Sequence, residues 1–504
     1  MKRSRRIVLN TASNIALQCV GVAVSFFMMP LVLRYFGKEI FGVNAYVASI
    51  VLLFTFVSSA ISMSLMKFIP ESLAKGDYET FNRYLSATLS VSFCVNVLVA
   101  LLIGTFPMYG IRLFGIPPHL EELTRRVFVV MSIATLLQFP VPVINGIYYG
   151  LEKFVLRNLL QMLSVAINVL AYIVVASQEG SLVHYVMVMQ GGVIITMLMA
   201  TVFILPRLPC ALRWVPPSWP LLKQTLSLNL YLISNQAADT LLYSTDKMIL
   251  QKLMGATAVA DYHIARRTQS MAHAAISLPL SAIVPSLSAA YASGDTAYIR
   301  RMNDVGSFLY AALLVPLLAT LFCLYDGFIQ LWVGPGFEHI VFPGRLFLLT
   351  VVMALPFKVF THCLVAHARV KELGIAKVSY AVLNVPLSIF LASRIGLVGV
   401  VIPTVCYWLV VYPVVVGCLA WQQKAMKGIL VSFGIAVCSL LLAWVIRGAA
   451  FPALPACWSE FIVKGAGIFV VLCCLYAGVA HVCFRRGIRE LVSRRTSGRT
   501  DQEA

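Results

Sequence analysis

The chain alternates between long apolar runs and short interruptions rich in charge, glycine or proline. A helix that crosses the hydrocarbon core of a bilayer needs about 20 mainly apolar residues. Cutting the chain at its interruptions predicts fourteen such helices, and therefore an all-α integral membrane protein. The predicted spans are residues 7–33, 41–66, 85–107, 123–150, 155–176, 183–205, 224–251, 257–287, 305–325, 345–366, 373–393, 397–420, 429–446 and 462–483.

The composition agrees with this pattern and excludes a soluble protein. Hydrophobic residues make up 60% of the 504 residues and charged residues 12%, with a mean hydropathy of +0.87. In typical soluble domains, hydrophobic residues make up about 45–50% and charged residues about 25%. The net charge of +19 comes from short clusters of Lys and Arg between apolar runs. Because no single basic domain exists, nucleic acid is not predicted as a partner.

The basic residues also predict the orientation. An even number of spans puts both termini on one side of the membrane. If that side is the cytoplasm, most Lys and Arg outside the spans are cytoplasmic, as the positive-inside rule requires. The sequence therefore predicts a multi-pass protein of the inner (cytoplasmic) membrane with both termini in the cytoplasm.

Three pairs of segments recur at nearly one offset. Gly37 matches Gly255, and Gly76-Asp77 matches Gly294-Asp295, both at an offset of 218 residues. The run 153–169 matches 369–385 at an offset of 216. Both copies of each segment fall on the same predicted side of the membrane. The pattern therefore predicts a parallel repeat of six helices.

The repeat predicts two six-helix lobes around a central cavity, followed by two additional helices. Rocking one lobe against the other would open the cavity to each side of the membrane in turn. The predicted domains are an N-terminal lobe (1–208), an inter-lobe linker (209–220), a C-terminal lobe (221–422), two additional transmembrane helices (423–484) and a basic cytoplasmic tail (485–504).

Polar and charged residues lie inside several predicted spans at helical spacing. A charge at mid-helix costs roughly 2.5–3.5 kcal/mol on insertion scales, so each one is a functional hypothesis. The candidates are Asn14 and Gln18 in the first span, Asn235, Asp239 and Asp246 in the seventh, His263, Arg266, Arg267 and His273 in the eighth, and Lys358 in the tenth.

These candidates divide into two predicted roles. Arg266 and Arg267 suit a diphosphate, because guanidinium groups offer planar paired donors to phosphate oxygens. We predict substrate binding by Arg266, Arg267, Lys358, Asn14, Gln18, Asn235 and His273, and ion coupling by Asp239, Asp246 and His263. A structural role stays open for each of them. Asn and Gln in spans commonly join helices by hydrogen bonds, and an interior histidine is commonly hydrogen-bonded.

No enzyme signature competes with transport. The sequence has no Walker A, GxSxG, HExxH or EF-hand motif, and its 12 cysteines form no CxxC pair. We therefore predict no catalytic residues, no cofactor and no metal. An integral glycosyltransferase or polymerase would need acidic catalytic residues and a large outer loop, and neither is visible.

Two segments resemble a known family. They are PLVLRYFGKEIFGVNAYVAS, with Gly37 and Gly42, and STDKMILQKLMGATAVADYHIA, with Asp246-Lys247, Gly255 and Tyr262. Together with the predicted lobes, they resemble the polysaccharide (lipid-linked oligosaccharide) flippases of the multidrug/oligosaccharidyl-lipid/polysaccharide exporter superfamily. The resemblance covers about residues 7–420 and also implies fourteen spans.

The resemblance implies a transporter that is driven by an ion gradient. Its cargo would be an isoprenoid-diphosphate-linked oligosaccharide, and its partners membrane lipids and the glycan polymerase or glycosyltransferase machinery. Two related alternatives stay open. A lipid II flippase would carry an arginine in its first span, where residues 7–33 have no charge. A multidrug or organic-cation antiporter would have an acidic cavity, which Arg266, Arg267 and Lys358 disfavour.

Overall fold

The chain is helical throughout the computed structural model, which describes residues 3–208, 210–216, 219–366, 371–423, 425–451 and 453–483; no strand occurs in these ranges. The helices are α1 (Arg3–Ala74), α2 (Tyr78–Leu113), α3 (Pro118–Leu137), α4 (Val141–Gly150), α5 (Phe154–Ser177), α6 (Leu182–Ile204), α7 (Trp219–Met254), α8 (Ala256–Ser293), α9 (Thr296–Arg301), α10 (Ser307–Cys323), α11 (Tyr325–Trp332), α12 (Val341–Ala366), α13 (Lys371–Ile395), α14 (Leu397–Cys406), α15 (Tyr412–Gln422), α16 (Met426–Ala450) and α17 (Trp458–Cys483).

Most of the predicted spans coincide with these helices, which confirms an all-α membrane fold. In the described residues, ten helical stretches are long and apolar enough to cross a membrane, or eleven if the bent pair α3 and α4 counts as one. The first stretch, Leu9–Ser58, includes two predicted spans, because α1 contains both. The predicted spans 224–251 and 257–287 lie on α7 and α8, the helices with the polar stripe. The chain is therefore a multi-pass membrane protein.

Glycine and proline set the breaks between spans. Gly37 has a φ of 78° and a ψ of 165°, which interrupts the helical backbone inside α1. Such a positive φ is open to glycine at little steric cost. The predicted span 123–150 is not one helix. It breaks between α3 and α4 with a bend of 43°, where Pro140 has no N–H for the helical hydrogen-bond ladder.

The two Gly-Asp loops of the predicted repeat share one local structure. Gly76 and Gly294 have φ values of 66° and 69°. The next residue caps the following helix, because Asp77 accepts a hydrogen bond from the Thr80 amide and Asp295 from the Tyr298 amide, each at 2.9 Å. The two loops therefore have the same local geometry.

The helices form two compact units. The first comprises residues 1–263 and 378–400. Its largest described core cluster joins α1, α2, α4, α5 and α6, and includes the fully buried Ile69, Phe81 and Tyr148. At the end of α8 that belongs to this unit, a β-carbon on Gly42 would lie 1.8 Å from the Ala256 carbonyl oxygen. Only glycine therefore lets α1 approach the first turn of α8 this closely.

The second unit comprises residues 264–377 and 401–504. The last two helices, α16 and α17, pack on α10 through a core that includes Ala319, Ala443 and Leu472, all fully buried. The predicted lobe boundaries and the linker 209–220 stay predictions. Residues 209, 217 and 218 and the tail 485–504 lie outside the described residues.

Candidate functional site

A cluster of cationic side chains lies in the second unit. His273 on α8 interacts electrostatically with Lys358 on α12 and with Arg266, which lies about two helical turns earlier on α8. His362, four residues after Lys358, also interacts with it. The structure therefore brings together three of the predicted substrate-binding residues. All are half-buried, as expected for side chains that line a polar space inside a helical bundle.

Two aromatic side chains support this cluster. The Lys358 Nζ lies 5.0 Å from the centroid of the Trp408 ring and 5.7 Å from that of Tyr412. The His273 ring packs on Trp408 with 5.6 Å between ring centroids. Cation–π contact keeps a lysine charge close to aromatic faces. Trp408 belongs to a π-helical turn, Tyr407–Val411, between α14 and α15. Such turns frequently occur at functional sites.

Buried hydrogen bonds fix α8 beside the two arginines. The Gln269 amide donates to the Thr350 hydroxyl of α12 at 2.8 Å. The hydroxyls of Thr268 and Tyr325 lie 3.0 Å apart. Arg267 is half-buried and interacts electrostatically with Arg266, so the adjacent pair carries two positive charges at one level of α8.

Asp246 lies in the first unit and is completely buried. Its carboxylate accepts hydrogen bonds from the hydroxyl of Tyr262 at 2.6 Å and from that of Ser388 at 3.4 Å. Lys247 is 7% exposed, and its Nζ donates to the Ala45 carbonyl at 3.5 Å. The pair therefore lies inside the unit, and the Tyr262 and Ser388 hydroxyls are among the groups that hold the carboxylate.

Within the first unit, α8 also contacts the segment that follows Gly37. Lys38 Nζ lies 2.8 Å from the Asp261 carboxylate. The His263 ring lies 5.6 Å from the Phe41 ring between centroids. His263, a predicted ion-coupling residue, is thus half-buried against α1, and the structure does not place it in the cationic cluster of the second unit.

The polar candidates of the first span have different surroundings, and those of the seventh span are only partly described. The Asn14 Oδ1 accepts a hydrogen bond of 2.6 Å from Asn158 of α5, so Asn14 joins two helices. Gln18 is exposed. Asn235 and Asp239 lie on α7, but their side chains are outside the described part of the structure.

Sequence reasoning misses several neighbours of these residues. Trp408 and Tyr412 look like ordinary apolar span residues, although their spacing of four puts them on one helix face. Arg157 lies inside the predicted span 155–176 but is not among the predicted site residues, and the structure places it in α5 next to the buried Asn158. The sequence signal for these two residues is that Arg157-Asn158 is a polar pair at the start of a span.

The arrangement suits binding of an anion. Lys358 and Arg266 supply positive charge, and the buried rings of Trp408 and Tyr412 support Lys358. In the described residues, no group of three or more His, Cys, Asp or Glu side chains has an arrangement that would hold a metal ion.

The sequence matches the family model described as "Polysaccharide biosynthesis protein" over residues 7–290. It is also 20% identical over 401 residues to "Uncharacterized membrane protein EpsK" of Bacillus subtilis (strain 168). That alignment covers 78% of this chain and 79% of EpsK.

Solved transporters share the fold. The structure titled "Lipid II flippase MurJ, inward closed conformation" has a TM-score of 0.75 at 16% identity, covering 95% of this chain and 100% of that one. A multidrug resistance MATE family transporter of the MOP superfamily, in its inward-facing conformation, has a TM-score of 0.62 at 16% identity, covering 86% and 96%. At these identities the likeness establishes the fold.

Proposed function

Because the chain belongs to the polysaccharide biosynthesis protein family, we propose that it flips an isoprenoid-diphosphate-linked oligosaccharide across the cytoplasmic membrane. The predicted resemblance to flippases of the exporter superfamily is confirmed by this match and by the shared fold. The family and its solved structural neighbours are transport proteins and not enzymes, so flipping involves no covalent chemistry.

The observation that carries the proposal is the cationic cluster on its aromatic support. The cargo's diphosphate is anionic, and Lys358, Arg266 and Arg267 would hold it by charge-assisted hydrogen bonds. Trp408 and Tyr412 would hold the Lys358 side chain in place for this contact. Asn14, Gln18 and Asn235 would meet the glycan, with Asn14 already hydrogen-bonded to Asn158.

Transport would proceed by alternating access with both termini in the cytoplasm. The buried Asp246, held by the Tyr262 and Ser388 hydroxyls, is the proposed ion-coupling carboxylate. Asp239 and His263 are the further candidates for this role. Loading would follow assembly of the glycan on its lipid by glycosyltransferases on the cytoplasmic side.

We test the cluster with Arg266→Gln and Lys358→Gln, each introduced into a cell that depends on this chain for surface polysaccharide. The matched control is Arg126→Gln, an exposed arginine of α3 paired with Glu122. Each cluster variant should lower surface polysaccharide by roughly tenfold or more, since a lost charge-assisted contact costs about 1.5–3 kcal/mol. Protein level in the membrane is measured in parallel.

Normal surface polysaccharide in both cluster variants, at normal protein level, would contradict the diphosphate role.

A lipid II flippase remains the second candidate, favoured by the extent of the MurJ-like fold. It predicts that loss of this chain stops peptidoglycan synthesis and not only surface polysaccharide. An organic-cation antiporter predicts drug export that survives both cluster variants.

A further inference from the structure

The first unit contains a pocket of its own, lined by both apolar and polar side chains. It is bounded by α4, α5 and α6 and has a volume of about 140 Å³. Its polar lining comprises Asn145, Arg157, Gln161, Ser164 and Thr196. The pocket is far smaller than the roughly 300–1,000 Å³ of sites that enclose whole ligands, so it has room for a phosphate-sized group and not for an oligosaccharide.

Arg157 provides the charge of this pocket. Its Nε donates to the Asn145 side-chain oxygen at 3.4 Å and its Nη1 to the Asn158 side-chain oxygen at 3.3 Å. The guanidinium lies 4.9 Å from the centroid of the Tyr149 ring. Within the described ranges, Arg157 forms no ion pair, and no carboxylate lines the pocket. Its charge and its remaining N–H donors are therefore available to an anion.

The position of Arg157 matches the level of lipid headgroups. It is the fourth residue of the 24-residue helix α5, about 5 Å from the helix start at 1.5 Å per residue. Such a helix is about 36 Å long, slightly longer than the roughly 30 Å hydrocarbon core. Its first turn therefore lies at the boundary between headgroups and acyl chains.

The face of α5 away from the pocket is apolar and exposed. Leu159 is 56% exposed and Leu170 58% exposed, and at 3.6 residues per turn both lie on the side of the helix opposite Arg157. Gln161, on the pocket side, is also exposed, so the edge of the pocket is open. An arginine at the open edge of a helix that faces hydrocarbon is positioned for a molecule that has both a charged headgroup and hydrocarbon chains.

We propose that this pocket binds the phosphate of an anionic phospholipid from the leaflet on the predicted cytoplasmic side. Arg157 would supply planar paired donors to the phosphate oxygens, with Gln161 at the rim and the acyl chains in the surrounding bilayer. The site shares no residue with the cationic cluster proposed to hold the cargo, and it does not depend on the identity of the cargo.

Occupancy would stabilise the contact between α1 and α5. Asn158 is fully buried and accepts from Arg157. Its amide also donates to the Asn14 side chain at 2.6 Å and to the Ser13 hydroxyl at 3.0 Å. A phosphate that fixes the Arg157 guanidinium would thereby order the same hydrogen bonds that join α5 to the first helix.

The test measures the melting temperature of the purified full-length protein in detergent with added phosphatidylglycerol or phosphatidylcholine. The variants are Arg157→Gln, Arg157→Lys and Gln161→Leu. The matched control is Arg83→Gln, an exposed arginine of α2 paired with Glu79 and placed on the same predicted side of the membrane. Native mass spectrometry of the same samples counts retained lipids.

Phosphatidylglycerol should raise the melting temperature of the wild type and of Arg83→Gln, and phosphatidylcholine should not. Arg157→Gln should lose this rise and the retained lipid, whereas Arg157→Lys and Gln161→Leu should keep a reduced rise. Because the lipid-dependent rise is compared, and not the starting stability, a less stable Arg157→Gln still gives a decisive result.

Four outcomes would overturn the assignment. If phosphatidylglycerol raised the melting temperature of Arg157→Gln as much as that of the wild type, the lipid would bind elsewhere. If phosphatidylcholine raised the melting temperature of the wild type as much as phosphatidylglycerol does, the site would not recognise charge. A rise with inorganic phosphate alone would make the ligand a soluble anion. A rise with a long-chain isoprenyl diphosphate but not with phosphatidylglycerol would make the pocket part of the cargo path.

Discussion

Lys358 depends on the aromatic side chains beside it. A lysine charge inside a membrane bundle is costly, and the rings of Trp408 and Tyr412 offset part of that cost. Trp408 also contacts His273, so one indole orders two members of the cluster. The Thr361 and Tyr412 hydroxyls, 2.8 Å apart, hold the second ring in place.

Trp408→Ala should therefore lower transport while leaving every cluster charge in place. The lost cation–π contact is worth about 1–2 kcal/mol, which corresponds to roughly a fivefold to thirtyfold drop in export. Trp408→Phe should retain most of the activity. The control is Trp421→Ala on α15, a tryptophan that is 75% exposed. Surface polysaccharide and membrane protein level are the measurements, and full activity of Trp408→Ala would rule out a role for the ring.

The sequence predicts the charged members of the site but not their neighbours. Arg266, His273 and Lys358 stand out because charge inside an apolar run is rare and expensive. Trp408 has no such signal, since aromatic residues are common in spans. Its role depends on which helices pack together, and that is set by tertiary contacts that no local pattern contains.

At the scale of elements, the two Gly-Asp loops end one helix and begin the next. The Asp77 amide donates to the Ser72 carbonyl, and the Asp295 amide to the Ala290 carbonyl, each at 3.0 Å. Each glycine occupies the left-handed position of a helix C-terminus.

The hydrogen bonds from Thr80 lower the pKa of the exposed Asp77. The cap is thus fully formed above the ordinary carboxyl pKa and weakens as the pH falls below it.

Gly76→Ala and Gly294→Ala should each destabilise the protein by about 1 kcal/mol, because a β-carbon is strained at positive φ. Gly191→Ala in α6 is the control, since its β-carbon would meet nothing within 4 Å. The measurement is the melting temperature in detergent. If only one loop variant is destabilised, the two loops do not serve the same structural role and the repeat loses this support.

Helix breaks are harder to predict from the sequence than helices. The 123–150 run is apolar enough for one span, yet Pro140 divides it into α3 and α4. The hydropathy of a segment indicates whether it lies in lipid or in water, but it does not indicate its backbone conformation. A proline inside an apolar run is therefore easily predicted as part of a continuous helix. Gly37, in contrast, lies in a polar interruption, and the sequence correctly predicts a break between two spans there.

At the scale of the molecule, composition alone predicts a multi-pass membrane protein. The first of the two additional helices, α16, is fixed in the second unit at both of its ends. The Gly428 amide donates to the Asp304 carboxylate at 3.1 Å, and Arg447 is ion-paired with Asp326. Orientation and the lobe boundaries stay predictions from the Lys/Arg distribution and the repeat.

The most direct measurement reconstitutes the purified protein in liposomes that carry a fluorescent isoprenyl-diphosphate oligosaccharide. Appearance of the glycan in the outer leaflet is followed with a membrane-impermeant quencher, with and without an imposed ion gradient. We predict protein-dependent flipping that the gradient accelerates and that Arg266→Gln and Lys358→Gln abolish. Transport of an organic cation without any movement of the lipid-linked glycan would contradict the account.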